Sequence, residues 1–360
     1  MKKITAIIIF FVLAVIVIII RLQEIERLKK HQESISARNY PSVTPIKKKL
    51  NAEKLLFVPY WSFDNEKIGS SGFDKLIYFG ISVDKNGINK NDIGYLKVGE
   101  FSKLADEKKR FLTLRMLDSD INFSVLKNKS LQQKVINESL DIARNNSFNG
   151  IVLDFEISAL PFDSVVKQVD DFVGLFNKGA KNKNLKFYVL LYGDTFYRVR
   201  PYDVENIAKN SDGILLMAYD FHKARGDPGP NFPLDGKEKY GYDFKTMVND
   251  FEKVVSIDKL SVIFGLFGYN WPIDEKMKSK GNADILSLND IKKQFLNNCI
   301  YKNCVVRRDK ESSENNITYM DEENILHTVW FEDNLSISEK QKYLLEKGIR
   351  SIGFWAYSYF

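Results

Sequence analysis

Histidine and cysteine are scarce in this sequence, which holds three His and two Cys among 360 residues. His31, His222 and His327 lie far apart, without the spacing of zinc ligands, so we expect no metal. No Gly-x-Gly-x-x-Gly segment follows the first predicted strand, so the usual fingerprint of a dinucleotide-binding fold is missing. We therefore expect no cofactor.

Beyond its amino terminus, the chain also lacks an excess of charge of either sign. Residues 1–50 hold ten of the 53 basic residues and three of the 47 acidic ones, which leaves 43 basic and 44 acidic residues in the remainder. Binding to a phosphate backbone needs basic side chains clustered on one face, so we expect no nucleic-acid partner. With 44% hydrophobic and 28% charged residues, the composition is that of a folded protein and excludes disorder over most of the chain.

A long apolar run lies near the amino terminus. Residues 4–20 contain only Ile, Val, Leu, Phe, Ala and one Thr, between Lys3 and Arg21. This length is near the short end of what spans a bilayer core as a helix. No A-x-A cleavage site follows, which favours a transmembrane signal anchor over residues 1–21, with the body outside the cytoplasm. The alternatives are a cleaved signal peptide, which would give a secreted protein, and a buried core helix.

The segment that follows, residues 22–50, is polar and charged and contains Pro41, Pro45 and a run of three lysines at 47–49. This composition predicts a linker, either solvated or holding the body away from a membrane that carries anionic lipid. The folded domain is then expected over residues 51–360, and we assume a monomer.

Eight short runs rich in β-branched and aromatic residues recur along this domain, with helix-like stretches between them. Continuously apolar strands separated by amphipathic segments indicate parallel strands buried on both faces. Eight such units predict an α/β fold, a (β/α)₈ TIM barrel, with an open doubly wound sheet as the alternative. The predicted strands are Leu55–Tyr60, Leu76–Val83, Phe111–Met116, Gly150–Glu156, Lys186–Tyr192, Gly213–Tyr219, Leu260–Phe267 and Ile349–Trp355.

The longest gap between predicted strands runs from Gly268 to Arg350, between the seventh and the eighth. It predicts an insertion, followed by a closing helix around Ser338–Glu346. The insertion includes Cys299 and Cys304, five positions apart. An extracytoplasmic location would allow these two residues to form a disulfide that closes a small local loop.

Alternation along the fourth predicted strand places two acidic side chains on one face. Asp154 and Glu156 share that face with Gly150 and Val152, whereas the opposite face is entirely apolar. In a barrel the apolar face packs on the helices, so the carboxylates would point into the lumen near the carboxyl end of the strand, where catalytic residues lie. Because buried carboxylates are costly unless paired, a structural ion pair is the alternative.

The segment Phe148–Glu156 resembles the active-site strand of glycoside hydrolase family 18, the chitinase-type hydrolases, whose pattern is Asp-Gly-x-Asp-x-Asp-x-Glu. Other strand ends agree with this family. Met217–Asp220 resembles its Met-x-Tyr-Asp, Gly265–Trp271 resembles its seventh-strand region, and Trp355 stands where the family keeps a tryptophan on the eighth strand. Gly229–Leu234 and Val329–Asp333 are similar to segments of the bacterial branch that includes spore-germination and cortex-lytic relatives.

The resemblance implies a retaining glycosidase for β-linked N-acetylglucosamine polysaccharides, peptidoglycan-like or chitin-like, in which the substrate supplies the nucleophile. Glu156 would be the general acid and later the base. Asp154 would orient the 2-acetamido group, and Tyr219 would donate to its carbonyl oxygen. Trp355 would form the floor beneath the sugar. The remaining candidates for substrate binding are Tyr60, Met217, Asp220 and Tyr269.

The sequence departs from the family pattern at Asn149 and Val152, which replace its first and middle aspartates. Without a carboxylate at 152, Asp154 loses the partner with which it would share a proton. Either Asp154 stays ionised in an active enzyme with a shifted pH profile, or activity is weak and the protein is a membrane-tethered carbohydrate-binding module. We favour the enzyme because the acid Glu156 is retained; a purely structural envelope protein would leave the lumen carboxylates unexplained.

Overall fold

The computed structural model describes residues 52–63, 68–69, 71–106 and 109–360. The predicted anchor, residues 1–21, and the predicted linker, residues 22–50, lie outside the described residues. Within the described ranges, none of the helices combines the length and the apolar character that crossing a membrane requires.

Fourteen strands occur in the described part of the chain. They are β1 (Glu53–Pro59), β2 (Lys75–Asp84), β3 (Gly87–Ile88), β4 (Arg110–Met116), β5 (Gly150–Phe155), β6 (Lys186–Tyr192), β7 (Gly213–Ala218), β8 (Leu260–Gly265), β9 (Phe267–Pro272), β10 (Asp284–Ser287), β11 (Lys302–Arg308), β12 (Asn315–Met320), β13 (Leu326–Phe331) and β14 (Ser351–Trp355).

The α-helices of the same ranges lie between these strands. They are α1 (Ile93–Leu96), α2 (Val98–Leu104), α3 (Ser119–Lys127), α4 (Lys129–Asn145), α5 (Asp163–Asn182), α6 (Val204–Lys209), α7 (Lys237–Tyr240), α8 (Phe244–Glu252), α9 (Leu288–Ile291) and α10 (Asn334–Glu346). Several begin at side chains that accept hydrogen bonds from the first-turn amides, such as Asp118 before α3, Asn128 before α4 and Asp333 before α10.

Eight parallel strands close into a barrel in the order β1, β14, β8, β7, β6, β5, β4 and β2, and β2 pairs with β1 to complete the ring. The predicted TIM barrel is therefore confirmed, and the open sheet is wrong. Every predicted strand is present, with boundaries within two residues of the prediction. Three strands, β1, β5 and β7, end one residue early, so Tyr60, Glu156 and Tyr219 follow their strands rather than complete them.

The barrel strands divide their side chains between two cores, as alternation predicts. On β5, Ile151, Leu153 and Phe155 belong to the outer core, which packs on the helices. Val152 points the other way and is fully buried in a separate lumen core. The other lumen residues are Leu55, Phe57, Ile77, Phe79, Phe111, Leu190, Leu215, Met217 and Ile263. The lumen is therefore a packed interior, and space for a ligand lies above it.

The predicted insertion between the seventh and eighth barrel strands is confirmed, and it folds as a five-stranded antiparallel sheet in the order β10, β9, β13, β12, β11. Cys299 and Cys304 form the predicted disulfide at its edge, with a Cα–Cα distance of 6.5 Å. The predicted seventh strand extends two residues too far: β8 ends at Gly265, although the amide of Leu266 still donates to the carbonyl of Trp355 on β14 at 2.8 Å. Phe267 then begins β9 of the insertion.

Candidate active site

A cleft of about 330 Å³ opens over the barrel, at the carboxyl ends of its strands. Most of the residues singled out from the sequence meet there. The cleft is lined by Trp61, Phe79, Leu117, Asp154, Glu156, Leu190, Tyr192, Met217, Tyr219, Asp220, Lys223, Phe267, Tyr269, Ile285, Trp355 and Tyr359. Of the eight candidate site residues, seven are in this lining, which places the two carboxylates beside the aromatic residues from strands on the far side of the barrel.

Tyr60 is the candidate that does not line the cleft. Its ring lies under the guanidinium of Arg115, 4.8 Å from the ring centroid. Its neighbour Trp61 lines the cleft instead, with 48% of its surface exposed. The chain turns immediately after β1, where the amide of Ser62 donates to the carbonyl of Pro59 at 2.9 Å, so strand alternation no longer predicts which side chain faces the cleft.

Asp154 lies at the bottom of the cleft, beside Arg115 of the neighbouring strand, and is 2% exposed. Within the described residues, no group hydrogen bonds to its Oδ1 atom. Burial, and next the charge of Glu156, raise the pKa of Asp154 well above its usual range, although Arg115 acts in the opposite direction. This argues against the interpretation that Asp154 simply stays ionised when residue 152 is Val.

Glu156 follows β5, and the backbone around it is fixed on both sides. Its amide donates to the carbonyl of Met116 at 2.8 Å, and its carbonyl accepts from the side-chain amide of Asn122 at 2.6 Å. The hydroxyl of Tyr202 donates to the carbonyl of Phe155 at 2.7 Å. The Glu156 side chain is therefore presented to the cleft from a rigid segment. Asn122 and Tyr202 were not found from the sequence, since one lies on a helix and the other in a loop.

Tyr192 is a further lining residue that sequence reasoning missed. Burial and a hydrogen bond to Glu156 raise the pKa of its hydroxyl, so Tyr192 stays a neutral donor beside this carboxylate. It ends β6, the fifth barrel strand, and its position at the carboxyl end of a predicted strand was the available signal.

Tyr219, Asp220 and Tyr269 form the part of the cleft wall that continues from Tyr192, because β7 lies next to β6 in the barrel. The hydroxyl of Tyr269 donates to Oδ1 of Asp220 at 2.7 Å, and the amide of Asp220 donates to Oδ1 of Asn231 at 2.8 Å. Burial raises the pKa of the Asp220 carboxyl. Burial and the charge of Asp220 likewise raise the pKa of Tyr219, so its hydroxyl also remains a neutral donor.

Trp355, the last residue of β14, forms an aromatic base for the cleft. Its ring lies edge-on to Phe79, with centroids 4.8 Å apart, and 5.6 Å from the centroid of Phe57. Tyr219 and Trp61 stand 6.3 Å from it on either side. Met217, 6% exposed, fills the lumen layer at the same depth. An aromatic face of this kind suits the apolar C–H face of a pyranose ring.

A second cluster of buried charges supports the wall from behind. We call Glu314, Glu332 and Lys340 the buried triad; the Lys340 ammonium contacts both carboxylates, and all three side chains are fully buried. Glu314 accepts hydrogen bonds from the amides of Asn231 at 2.6 Å and Phe232 at 2.8 Å. Because Asn231 in turn holds the amide of Asp220, the triad fixes the insertion and the cleft wall together.

This arrangement has the parts of a barrel glycosidase. Two carboxyl groups on one strand end face a cleft with an aromatic floor and neutral tyrosine hydroxyls, so a proton can be delivered to a bound sugar. The model of Glycosyl hydrolases family 18 matches residues 54–359. The chain belongs to this family, which confirms the resemblance found in the strand motifs.

Curated relatives agree with this assignment. YdhD of Bacillus subtilis, named as a sporulation-specific glycosylase, is 25% identical over 251 residues, which are 68% of this chain and 55% of YdhD. This chain thus spans little more than half the length of that relative. The cortical fragment-lytic enzyme of Bacillus anthracis is 24% identical over 345 residues, which are 91% of this chain and 71% of that protein.

Solved structures share the fold. The spore cortex-lytic enzyme SleL of Bacillus cereus aligns with a TM-score of 0.67 at 18% identity, covering 85% of this chain and 71% of that chain. The class V chitinase of Nicotiana tobaccum aligns with a TM-score of 0.73 at 17% identity, covering 86% of this chain and 95% of that chain.

Proposed function

We propose that this protein hydrolyses β-linked polysaccharides containing N-acetylglucosamine, with retention of configuration, in the cleft above the barrel. The observation that carries the proposal is the buried Asp154, whose Oδ1 lacks a partner among the described residues while Glu156 stands beside it in the same cleft. A buried acceptor without a donor is costly, and the N–H of a 2-acetamido group is a donor that would satisfy it.

The two carboxyl groups act as a pair that holds one proton between them. Burial and the charge of Glu156 favour a proton on Asp154 before a substrate binds. When the acetamido N–H donates to Asp154, it stabilises the ionised form of that carboxyl, so the shared proton moves to Glu156. Glu156 then protonates the glycosidic oxygen as general acid. Since residue 152 is Val, this pair works without a third carboxyl group beneath it.

The substrate supplies the nucleophile. As the glycosidic bond breaks, the acetamido oxygen attacks the anomeric carbon and forms an oxazolinium ion, and Asp154 stabilises the positive charge near the nitrogen. Tyr219 donates to the acetamido oxygen and orients it. Glu156, now ionised, takes a proton from a water molecule that attacks the anomeric carbon. This attack opens the oxazolinium ring, and the proton transfer restores the starting protonation. Trp355 supports the sugar from below.

Peptidoglycan-like and chitin-like polymers both fit this chemistry, and the relatives named as cortex-lytic enzymes favour the first. We further propose that the protein is anchored in the cell membrane with the domain outside the cytoplasm. The apolar run over residues 4–20 supports the anchor. The disulfide between Cys299 and Cys304 supports an oxidising location.

The direct test measures reducing ends released by the full-length protein from chito-oligosaccharides and from purified peptidoglycan. Glu156→Gln keeps the size of the side chain and removes the acid, so we expect about 10²- to 10⁴-fold slower cleavage. The matched control is Glu346→Gln, at the exposed end of α10 on the opposite face of the barrel, which should cleave as the native protein does.

The second candidate is a membrane-tethered protein that binds such polymers without cutting them. It is favoured by Val152, which stands where the family pattern has an aspartate. If the native protein and Glu156→Gln both fail to release reducing ends yet bind the oligosaccharide equally, this candidate replaces the hydrolase.

A further inference from the structure

Lys223 is the one cation among the described residues that line the cleft. It follows β7 and is half-buried, with its ammonium 4.9 Å from the centroid of the Tyr192 ring. In the described part of the chain, no carboxylate forms an ion pair with it. Its position next to Tyr192 places it on the same side of the cleft as Glu156, with which Tyr192 shares a hydrogen bond.

The neighbouring cation on Tyr192 is held in an ion pair and is not among the residues that line the cleft. The guanidinium of Arg200 lies 3.7 Å from the centroid of the same ring, and it pairs with Asp194 at 2.8 Å. Asp194 is 3% exposed and commits its other oxygen to Arg198. The positive charge available to a ligand on this wall is therefore that of Lys223.

The loop that carries Lys223 is held in place. The amide of Gly226 donates to the Lys223 carbonyl at 2.8 Å, and the amide of Ala283 donates to the Ala224 carbonyl at 2.8 Å. The second bond ties the loop to the segment before β10 of the insertion. A half-buried ammonium on a fixed loop has lost part of its hydration, and a hydrogen-bonding counter-ion would repay that cost.

The rest of the cleft carries negative charge, from Glu156 and Asp220 above the buried Asp154. A carboxylate on the substrate would be repelled by these groups unless a cation lay next to it. A neutral polymer of N-acetylglucosamine presents hydroxyl and amide groups and needs no such cation. In peptidoglycan, alternate sugars carry a lactyl group that ends in a carboxylate or in a peptide.

We propose that Lys223 is a specificity residue that binds a carboxylate on the sugar chain, so that the cleft prefers an anionic N-acetylated glycan to a neutral one. The inference rests on the proposed function, because it assumes that this cleft binds the glycan. It names the substrate class within that function: peptidoglycan-like strands with free lactyl carboxylates rather than chitin-like strands.

Binding is measured with the full-length protein carrying Glu156→Gln, so that cleavage does not interfere. The ligands are peptidoglycan-derived oligosaccharides with free lactyl carboxylates, the same oligosaccharides with those carboxylates methyl-esterified, and chito-oligosaccharides of equal length. Adding Lys223→Met should weaken binding of the free-carboxylate ligand by about 10-fold or more, because one charge-assisted hydrogen bond is lost. Binding of the other two ligands should not change.

Two further variants sharpen the result. Lys223→Arg keeps the charge and should retain most of the preference. Lys278→Met removes an exposed lysine that pairs with Asp227, a residue of the loop that carries Lys223. This variant should leave all three affinities unchanged. Raising the ionic strength should reduce the preference for the free carboxylate when Lys223 is present and should have little effect in Lys223→Met.

The inference is overturned if Lys223→Met weakens all three ligands equally, because the lysine is then a general sugar contact. It is also overturned if none of the affinities changes. Failure of the proposed function looks different: the native protein would release no reducing ends, while Lys223→Met still weakened binding of the free-carboxylate ligand alone.

Discussion

Two clusters in the described part of this domain bring carboxyl groups together away from bulk solvent, and they differ in the cation beside them. In the buried triad, Lys340 contacts both Glu314 and Glu332, and all three side chains are fully buried. At the cleft, Asp154 is equally buried, but the cation nearest to it along the sheet, Arg115, donates to the carbonyl of Gly80 and to Asp92.

The difference separates a structural cluster from a reactive one. The ammonium of Lys340 holds the charges of the triad in place, and nothing in the triad faces a cavity. Asp154 and Glu332 each keep a buried carboxylate oxygen without a hydrogen-bond partner among the described residues. The pair at the cleft differs in that it lacks such a cation and lines the cleft, where a ligand can reach it. Groups arranged in this way cost stability and gain reactivity, which is typical of active sites.

The largest effect should come from removing the carboxyl group at the base of the cleft. Asp154→Asn leaves an amide of the same size that cannot take up or release the shared proton, so cleavage should fall by about 10²-fold or more. The free energy of unfolding should not fall, because no stabilising ion pair is lost. Initial rates and urea unfolding of the same preparation measure both. A loss of stability that matched the loss of activity would place Asp154 with the structural clusters.

Removing the cation of the buried triad should, in contrast, lower the stability of the fold. Lys340→Met leaves Glu314 and Glu332 facing each other without a counter-charge and should lower the free energy of unfolding by about 3–5 kcal/mol. The control is Lys342→Met, an exposed position on the same helix, where a change within about 0.5 kcal/mol is expected. If both variants change the free energy of unfolding by the same amount, Lys340 is not needed to stabilise the cluster.

The family aspartate can be restored beneath the pair at the cleft. Val152→Asp buries another carboxyl group and should cost about 1–3 kcal/mol of stability. A further carboxylate would raise the pKa of Asp154 again, so the alkaline limb of the pH–rate profile should move to higher pH. Val152→Thr adds a polar group of similar size without charge, and its profile should stay in place. If the alkaline limb of the pH–rate profile does not move in Val152→Asp, its position is not determined by Asp154 and Glu156.

A further prediction concerns the pH dependence of stability. Burial, and then the charge of Glu314, raise the pKa of Glu332 to about 8 despite the attraction of Lys340. A carboxyl group with a raised pKa in the folded state holds its proton there more tightly than in the unfolded state. Its contribution is complete below the ordinary glutamate range and is lost as the pH rises through about 8. Glu332→Gln should flatten the fall in unfolding free energy between these limits. If the native protein and the variant show the same fall, a group other than Glu332 causes it.

Most of the barrel could be predicted from the sequence because its strands are buried on both faces. Lys186–Tyr192 was predicted with its observed bounds, and the other seven barrel strands differ by at most two residues. The sheet of the insertion left no such pattern. Most of β11 is exposed, and β9 pairs with β13 across about sixty residues, so neither composition nor spacing reveals the pairing.

The site was predictable where a side chain lies at a strand end and carries a charge or a ring, as Asp154, Glu156 and Trp355 do. It was not predictable where the chain turns or a helix contributes. Trp61 faces the cleft in place of Tyr60 because β1 has already ended. Asn122 reaches the carbonyl of Glu156 from α3, and this contact depends on how the helix packs on the barrel.

The most direct measurement is the configuration of the first product. Proton NMR during the early phase of hydrolysis of a β-linked N-acetylglucosamine oligomer distinguishes the anomers before they equilibrate. Participation of the acetamido group, with Asp154 and Glu156 sharing one proton, predicts that the β-anomer appears first and that Glu156→Gln suppresses it. Initial release of the α-anomer, or release of the β-anomer that Glu156→Gln leaves unchanged, would contradict it.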